Sequence, residues 1–155
     1  EDLKFIARRL LILASEDIGN ANPTALILAN NTFQAVSTIG YPESRIILSQ
    51  CAVYLANSTK SNASYKAINE AQRLEKETGD LSVPLHLRNA PTKLMKDLDY
   101  GKDYKYAHDF EGNFADQEFM PEEIKGTRLY EPGGNAREDQ FRKFLKDRWK
   151  DKYGY

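Results

Sequence analysis

The sequence predicts an all-α domain. Apolar residues recur at helical spacing through the first half, glycine and proline punctuate that half at helix-length intervals, and the last stretch returns to the same period. The expected architecture is a helical bundle of about four core helices, then an irregular, loop-rich second half, then a C-terminal amphipathic helix.

Asp2 is a suitable N-cap for a first helix over Leu3 to Ser15, which is apolar almost all round apart from Lys4, Arg8 and Arg9; Gly19 is its natural stop. Such a composition describes a central, buried helix. Asn22-Pro23, a cap residue followed by proline at the first helical position, opens a second helix carrying Leu26, Ile27, Phe33 and Val36 as far as Gly40. Pro42 opens a third through Ile46, Ile47, Cys51, Val53 and Leu55. Ser61 or Asn62 caps a fourth, in which Tyr65, Ile68, Ala71 and Leu74 recur at the helical period before Gly79 closes it.

Beyond Gly79 the chain is broken by Pro84, Pro91, Gly101, Gly112, Pro121, Gly126, Pro132 and the Gly133-Gly134 pair. Only short elements fit there, a helix over Thr92–Leu98 and a turn at Pro121–Lys125. Arg137 to Lys150 regains helical spacing, with Phe141, Phe144, Leu145 and Trp149 on one stripe. The helices share no residue pattern, which speaks for one domain over residues 1–155 and against a solenoid.

A chain of 155 residues can bury about two thirds of its unfolded surface and needs no staple. Lysine and arginine number 22 against 23 acidic residues, so any nucleic-acid contact must come from a local patch. The lone Cys51 excludes an internal disulfide and suits a reducing compartment. Three glycosylation triplets, at Asn30, Asn57 and Asn62, are read as chance because no secretory signal accompanies them. No apolar run approaches the roughly 20 residues that cross a bilayer. The expected setting is therefore the cytoplasm, without membrane attachment. The chain runs from Glu1-Asp2 straight into apolar sequence with no initiator Met, the look of a segment cut from a longer protein.

The densest chemistry lies between Pro84 and Phe110. Arg88, Lys93, Lys96, Lys102 and Lys105 are interleaved there with Tyr100, Tyr104, Tyr106 and Phe110. Cations for phosphates and rings for bases are the ingredients of a single-strand nucleic-acid surface. Lys93, Lys96, Lys102 and Lys105 are the candidate phosphate contacts, with Tyr104 and Tyr106 as stacking platforms. Asp97, Asp99, Asp103, Asp109 and Glu111 offer the opposing reading, in which the lysines are paired and the tyrosines packed inward.

Catalytic patterns fail one by one. No G-x-x-x-x-G-K-[ST] loop exists to cradle phosphates; the only Gly-Lys, Gly101-Lys102, has Lys96 and Asp103 at the flanking key positions. Glu16-Asp17 and Glu122-Glu123 are neighbouring acids of the kind found on solvated helix ends. His86 and His108 lack a metal-ligand spacing, Cys51 sits mid-helix among aliphatics, and Ser15 and Ser49 have no G-x-S-x-G elbow. The expectation is no catalytic residue, no cofactor site and no metal site, which also leaves a free-standing hydrolase without support.

Four segments carry a resemblance: FIARRLLILASEDIGNANP at 5–23, YLANSTKSNASYKAIN at 54–69, VPLHLRNAPTKLMKDLDYGKDYKYAHDF at 83–110 and FMPEEIKGTRLYEP at 119–132. Together they resemble the C-terminal region of the replication-associated recombination protein A family, the bacterial AAA+ proteins also called RarA or MgsA, related to eukaryotic Werner helicase-interacting proteins. The resemblance implies a helical domain akin to a clamp-loader collar, through which an ATPase of stalled replication forks assembles as a homotetramer. It also implies that ATP and magnesium bind in an upstream domain, that DNA is met through the full-length protein, and that a single-strand-binding protein is a possible partner. For the oligomer interface the candidates are the apolar run Leu10, Leu11, Ile12 and Leu13 and the striped residues Phe141, Phe144 and Trp149. The tail after Asn135 matches the family least distinctly.

Overall fold

The computed structural model of the chain describes residues 1–155 and contains helices and turns without a strand. Six α-helices follow in order: α1 (Leu3–Leu13), α2 (Thr24–Ile39), α3 (Ser44–Ala56), α4 (Ala63–Thr78), the short α5 (Lys93–Asp97) and α6 (Ala136–Trp149). They belong to two compact units. The first comprises residues 1–71 and 129–143, and the second residues 72–128 and 144–155.

In the first unit α2 packs on both α1 and α3. Its core is Ala14, Ile18, Ala25, Ala29, Cys51 and Leu55, with Leu10, Leu11, Leu13, Leu28 and Tyr54 packed against it. Small residues dominate this list, so the helix backbones approach closely and bulky side chains are displaced to the flanks. That corrects the expectation of a buried first helix. Ala7 is the one buried residue of α1 and Leu10, Leu11 and Leu13 are partly buried against the core, while Phe5 and Ile12 reach solvent. On α2, likewise, Ala25, Ala29, Thr32 and Val36 form the buried stripe at the helical repeat, and Leu26 and Ile27 point outward.

The caps follow their chemistry with one exception. The Asp2 side chain accepts from the Lys4 N–H at 3.0 Å, and the Ser61 hydroxyl accepts from the Ala63 N–H at 3.3 Å. Asn22, expected to cap α2, instead donates its amide to the hydroxyls of Tyr54 and Ser58, both at 3.1 Å, tying the entry of α2 to the end of α3. After α1 the chain widens into a π-helical turn, Ala14–Ile18, and leaves it at Gly19 with φ +50°. Only glycine fits, since a Cβ there would stand 2.7 Å from the Ser61 carbonyl oxygen. The same Ser61 donates its N–H to the Asp17 carbonyl at 2.8 Å.

The second unit is held by an aromatic cluster. Phe114, Phe119 and Tyr153 meet Trp149 edge to face, with centroids 4.8, 6.2 and 5.1 Å away. The Thr92 hydroxyl caps α5 by accepting from Met95 N–H at 3.3 Å.

Candidate interaction surfaces

Each unit presents one surface that its own packing leaves unexplained. In the first, Ile12 and Ser15 form a ridge between two grooves. The groove toward α2 encloses about 580 Å³ and is lined by Leu11, Leu26, Ile27 and Asn30; the one toward α4 encloses about 450 Å³ and is lined by Glu16, Ser64, Tyr65 and Ile68. Asn20 fixes the second by donating to the Ser64 hydroxyl at 3.0 Å. Ile27 is 62% exposed and Ile68 54%, so the face is apolar and open together. Of the four interface candidates in α1, Leu10, Leu11 and Leu13 pack on the core and Ile12 alone is well exposed. Phe141 lies half-buried beneath Arg137. Phe144 is exposed, with the Arg148 guanidinium 4.0 Å above its ring, and Trp149 is occupied within the aromatic cluster.

In the second unit the basic and aromatic tract divides. Lys93 and Lys96 are exposed on α5 without an ion pair. Lys102 pairs with Asp99 at 3.0 Å, and the hydrogen bond and charge of Asp99 raise its pKa. The Lys105 ammonium donates to the Asp116 carbonyl at 3.1 Å, and its backbone is clasped by Gln117, which accepts from the N–H and donates to the C=O. Tyr104 and Tyr106 are 51% and 54% exposed. The tyrosines are thus not packed inward, and one of the four lysines carries the pairing that the opposing reading required.

His86 Nε2 lies 2.7 Å from the Glu118 carbonyl oxygen, and His108 Nδ1 lies 3.2 Å from the Asn113 side-chain oxygen. No three of the His, Cys, Asp and Glu side chains are grouped to hold a metal. Cys51 is fully buried in the core.

Two carboxylates that the sequence did not single out organise their units. Glu138 is fully buried. Burial alone would raise its carboxyl, but hydrogen bonds from Ser61, Asn135, Tyr130 and the Gly133 N–H outweigh it and hold the group below the usual carboxylate range. The legible signal was Asn135-x-x-Glu138, a capping box: Asn135 accepts from the Glu138 N–H at 3.0 Å. In the second unit, burial pushes Glu118 upward, yet the N–H groups of Met120 and Phe119 and the Lys152 ammonium bring it down. Burial and the charge of Glu118 push the adjacent Tyr153 phenol up to about 12.

The first 149 residues match the family model described as MgsA AAA+ ATPase C terminal. The replication-associated recombination protein A of Coxiella burnetii is 53% identical over 129 residues, 83% of this chain and 29% of that protein. Its namesake in Escherichia coli K12 is 46% identical over 84% of the chain and 30% of its own length. ATPase WRNIP1 of Dictyostelium discoideum is 47% identical over 82% of the chain and 15% of its own length. The chain spans less than a third of each of these relatives. No helix of the chain is long and apolar enough to cross a membrane.

Proposed function

Because this chain belongs to the MgsA AAA+ ATPase C-terminal family, we propose that it is the oligomerisation and interaction domain of a cytoplasmic, DNA-dependent AAA+ ATPase that maintains replication forks and acts in recombination. The observation that carries this reading is the apolar face of Ile12, Leu26, Ile27, Tyr65 and Ile68, left open by the chain's own packing. Contiguous apolar grooves on a folded unit are covered by a partner, and a second copy of the chain meets the same face at matching concentration. By family resemblance we read the assembly as a tetramer, with ATP and magnesium expected in an upstream domain and a single-strand-binding protein proposed as a further partner. Substituting aspartate at Ile27 tests the reading: the mass in solution falls to that of one chain while helical content is kept.

A second reading has its own support. Tyr104 and Tyr106 stand open, and Lys93 and Lys96 have no acidic partner, which suits a single-stranded nucleic-acid module built on residues 84–110. The two readings are compatible, since they use different units.

A further inference from the structure

The second unit contains a cleft of about 470 Å³ whose walls are residues 86–90 of the PLHLRNAP segment, Gly101, Tyr104 and Phe119. Its construction is fixed without an occupant. The Gly101 N–H donates to the Leu85 carbonyl at 2.8 Å, and a Cβ on Gly101 would stand 3.2 Å from the Arg88 carbonyl oxygen. With φ at +71°, the position takes glycine on both counts. Arg88 is held by two residues: its Nε donates to the Val83 carbonyl at 2.6 Å, and at Tyr100 one terminal nitrogen donates to the hydroxyl at 3.1 Å while the guanidinium lies 5.0 Å from the ring centroid. The hydrogen bond of His86 to the Glu118 carbonyl fixes the wall that bears Phe119.

Three groups of the cleft are open to solvent, and of these only the Phe119 ring has a protein ring partner, Trp149, which it meets edge to face. The rings of Tyr104 and Phe119 are 51% and 47% exposed, and the exposed Asn89 amide has no protein partner. Two open π faces and an amide with adjacent donor and acceptor suit a flat group that carries its own donors and acceptors on its edge. A nucleobase has that form: any base stacks on a ring, and an asparagine amide pairs with a base edge. An aliphatic side chain would leave the amide unpaired. Lys105, bound only to a neutral carbonyl, and Lys102, paired with Asp99 at the surface, adjoin the lining residues Tyr104 and Gly101 in the chain, so positive charge is at hand for a sugar-phosphate backbone, chiefly from Lys105.

We propose that this cleft receives one unstacked base of a single-stranded nucleic acid, stacked on Tyr104 or Phe119 and read at its edge by Asn89, with the backbone passing Lys102 and Lys105. The assignment rests on the nucleic-acid reading of residues 84–110 and names its base-binding subsite.

The test is binding of a short labelled oligo(dT) to the full-length protein across a salt titration, paired with ultraviolet crosslinking. Tyr104→Ala is expected to weaken binding about tenfold. Its salt slope should be unchanged, because every lysine that meets a phosphate is still in place. Tyr104→Phe keeps the ring and should bind like the parent, and the crosslink should map to Tyr104 or Phe119. If Tyr104→Ala and Asn89→Ala both stay within about twofold of the parent, while charge reversal of the four lysines still lowers affinity and slope, the cleft assignment is overturned and the wider reading stands. That is also the outcome if the cleft takes an aromatic side chain of a protein partner. Unchanged binding in every variant, the lysine one included, removes the underlying reading as well. Should Tyr104→Ala fail to fold, the crosslink on the parent protein decides, and adducts confined to Tyr106 or α5 overturn the proposal.

Discussion

The Tyr130 hydroxyl donates to Oε1 of Glu138 across 2.8 Å, inside the first unit, and the other carboxylate oxygen accepts from the Asn135 amide at 2.5 Å. Ser61 and the Gly133 N–H complete the shell, so the C-terminal helix is bound to the loop that precedes α4 through one buried anion. Removing that anion strands several donors at once. Glu138→Ala should lower stability by about 1–3 kcal/mol for each donor that finds no water. Urea unfolding followed by circular dichroism measures it, and a midpoint equal to that of the parent would contradict this account of the first unit.

The same carboxylate sets a dependence on pH. Its folded pKa lies below the ordinary value of 4.5, so between the two the unfolded chain binds more protons. The contribution of Glu138 is therefore complete above that value and drains away as pH falls through the folded pKa. Glu138→Gln should show a smaller loss of stability on acidification than the parent. Equal losses in the two proteins would mean that the group titrates normally.

Gly19 offers a conformational test. Alanine at Gly79, where φ is +69° and no atom lies within 4 Å of a new Cβ, should cost only the left-handed backbone, about 1–2 kcal/mol. Alanine at Gly19 meets the Ser61 carbonyl as well and should cost clearly more. Thermal melts of the two variants rank them directly, and the reverse order would show that the Gly19–Ser61 approach relaxes freely.

Helix positions were legible because Pro23 and Pro42 mark the starts of α2 and α3, Gly40 and Gly79 follow the ends of α2 and α4, and the period of Tyr65, Ile68 and Leu74 marks α4. What the sequence concealed was the direction each helix faces. A core built on Ala7, Ala14, Ala25 and Ala29 gives little hydrophobic signal, whereas Leu26, Ile27 and Ile46 give a strong one and point outward. Asn22 misled for a related reason: its amide serves equally as a cap or as a tertiary bridge, and local sequence does not distinguish them. In the candidate sites, the lysines and tyrosines of residues 84–110 were readable as a composition. Asn89 and Phe119 were not, since only the folded chain brings Phe119 beside the PLHLRNAP segment.

Charge reversal of Lys93, Lys96, Lys102 and Lys105 together should weaken single-strand binding by the full-length protein. The salt slope should fall by about 0.7 for each phosphate that a lysine no longer neutralises. Fluorescence anisotropy across a salt series reads both quantities. An unaltered titration in a variant of unchanged helicity would assign residues 84–110 to structure alone.

The pattern G-x-x-x-x-G-K-[ST] does not occur in the 155 residues, which leads to the prediction that the isolated chain neither binds nor hydrolyses ATP. Isothermal titration with ATP and magnesium checks this, and saturable heat would contradict it.

The oligomer is the claim on which the functional account turns, and light scattering of the purified chain tests it most directly. The account predicts a mass that is a multiple of 17.7 kDa, a tetramer by family resemblance, collapsing toward one chain when Ile12 or Ile27 becomes aspartate. A mass of 17.7 kDa for the unaltered chain across a wide concentration range would contradict it.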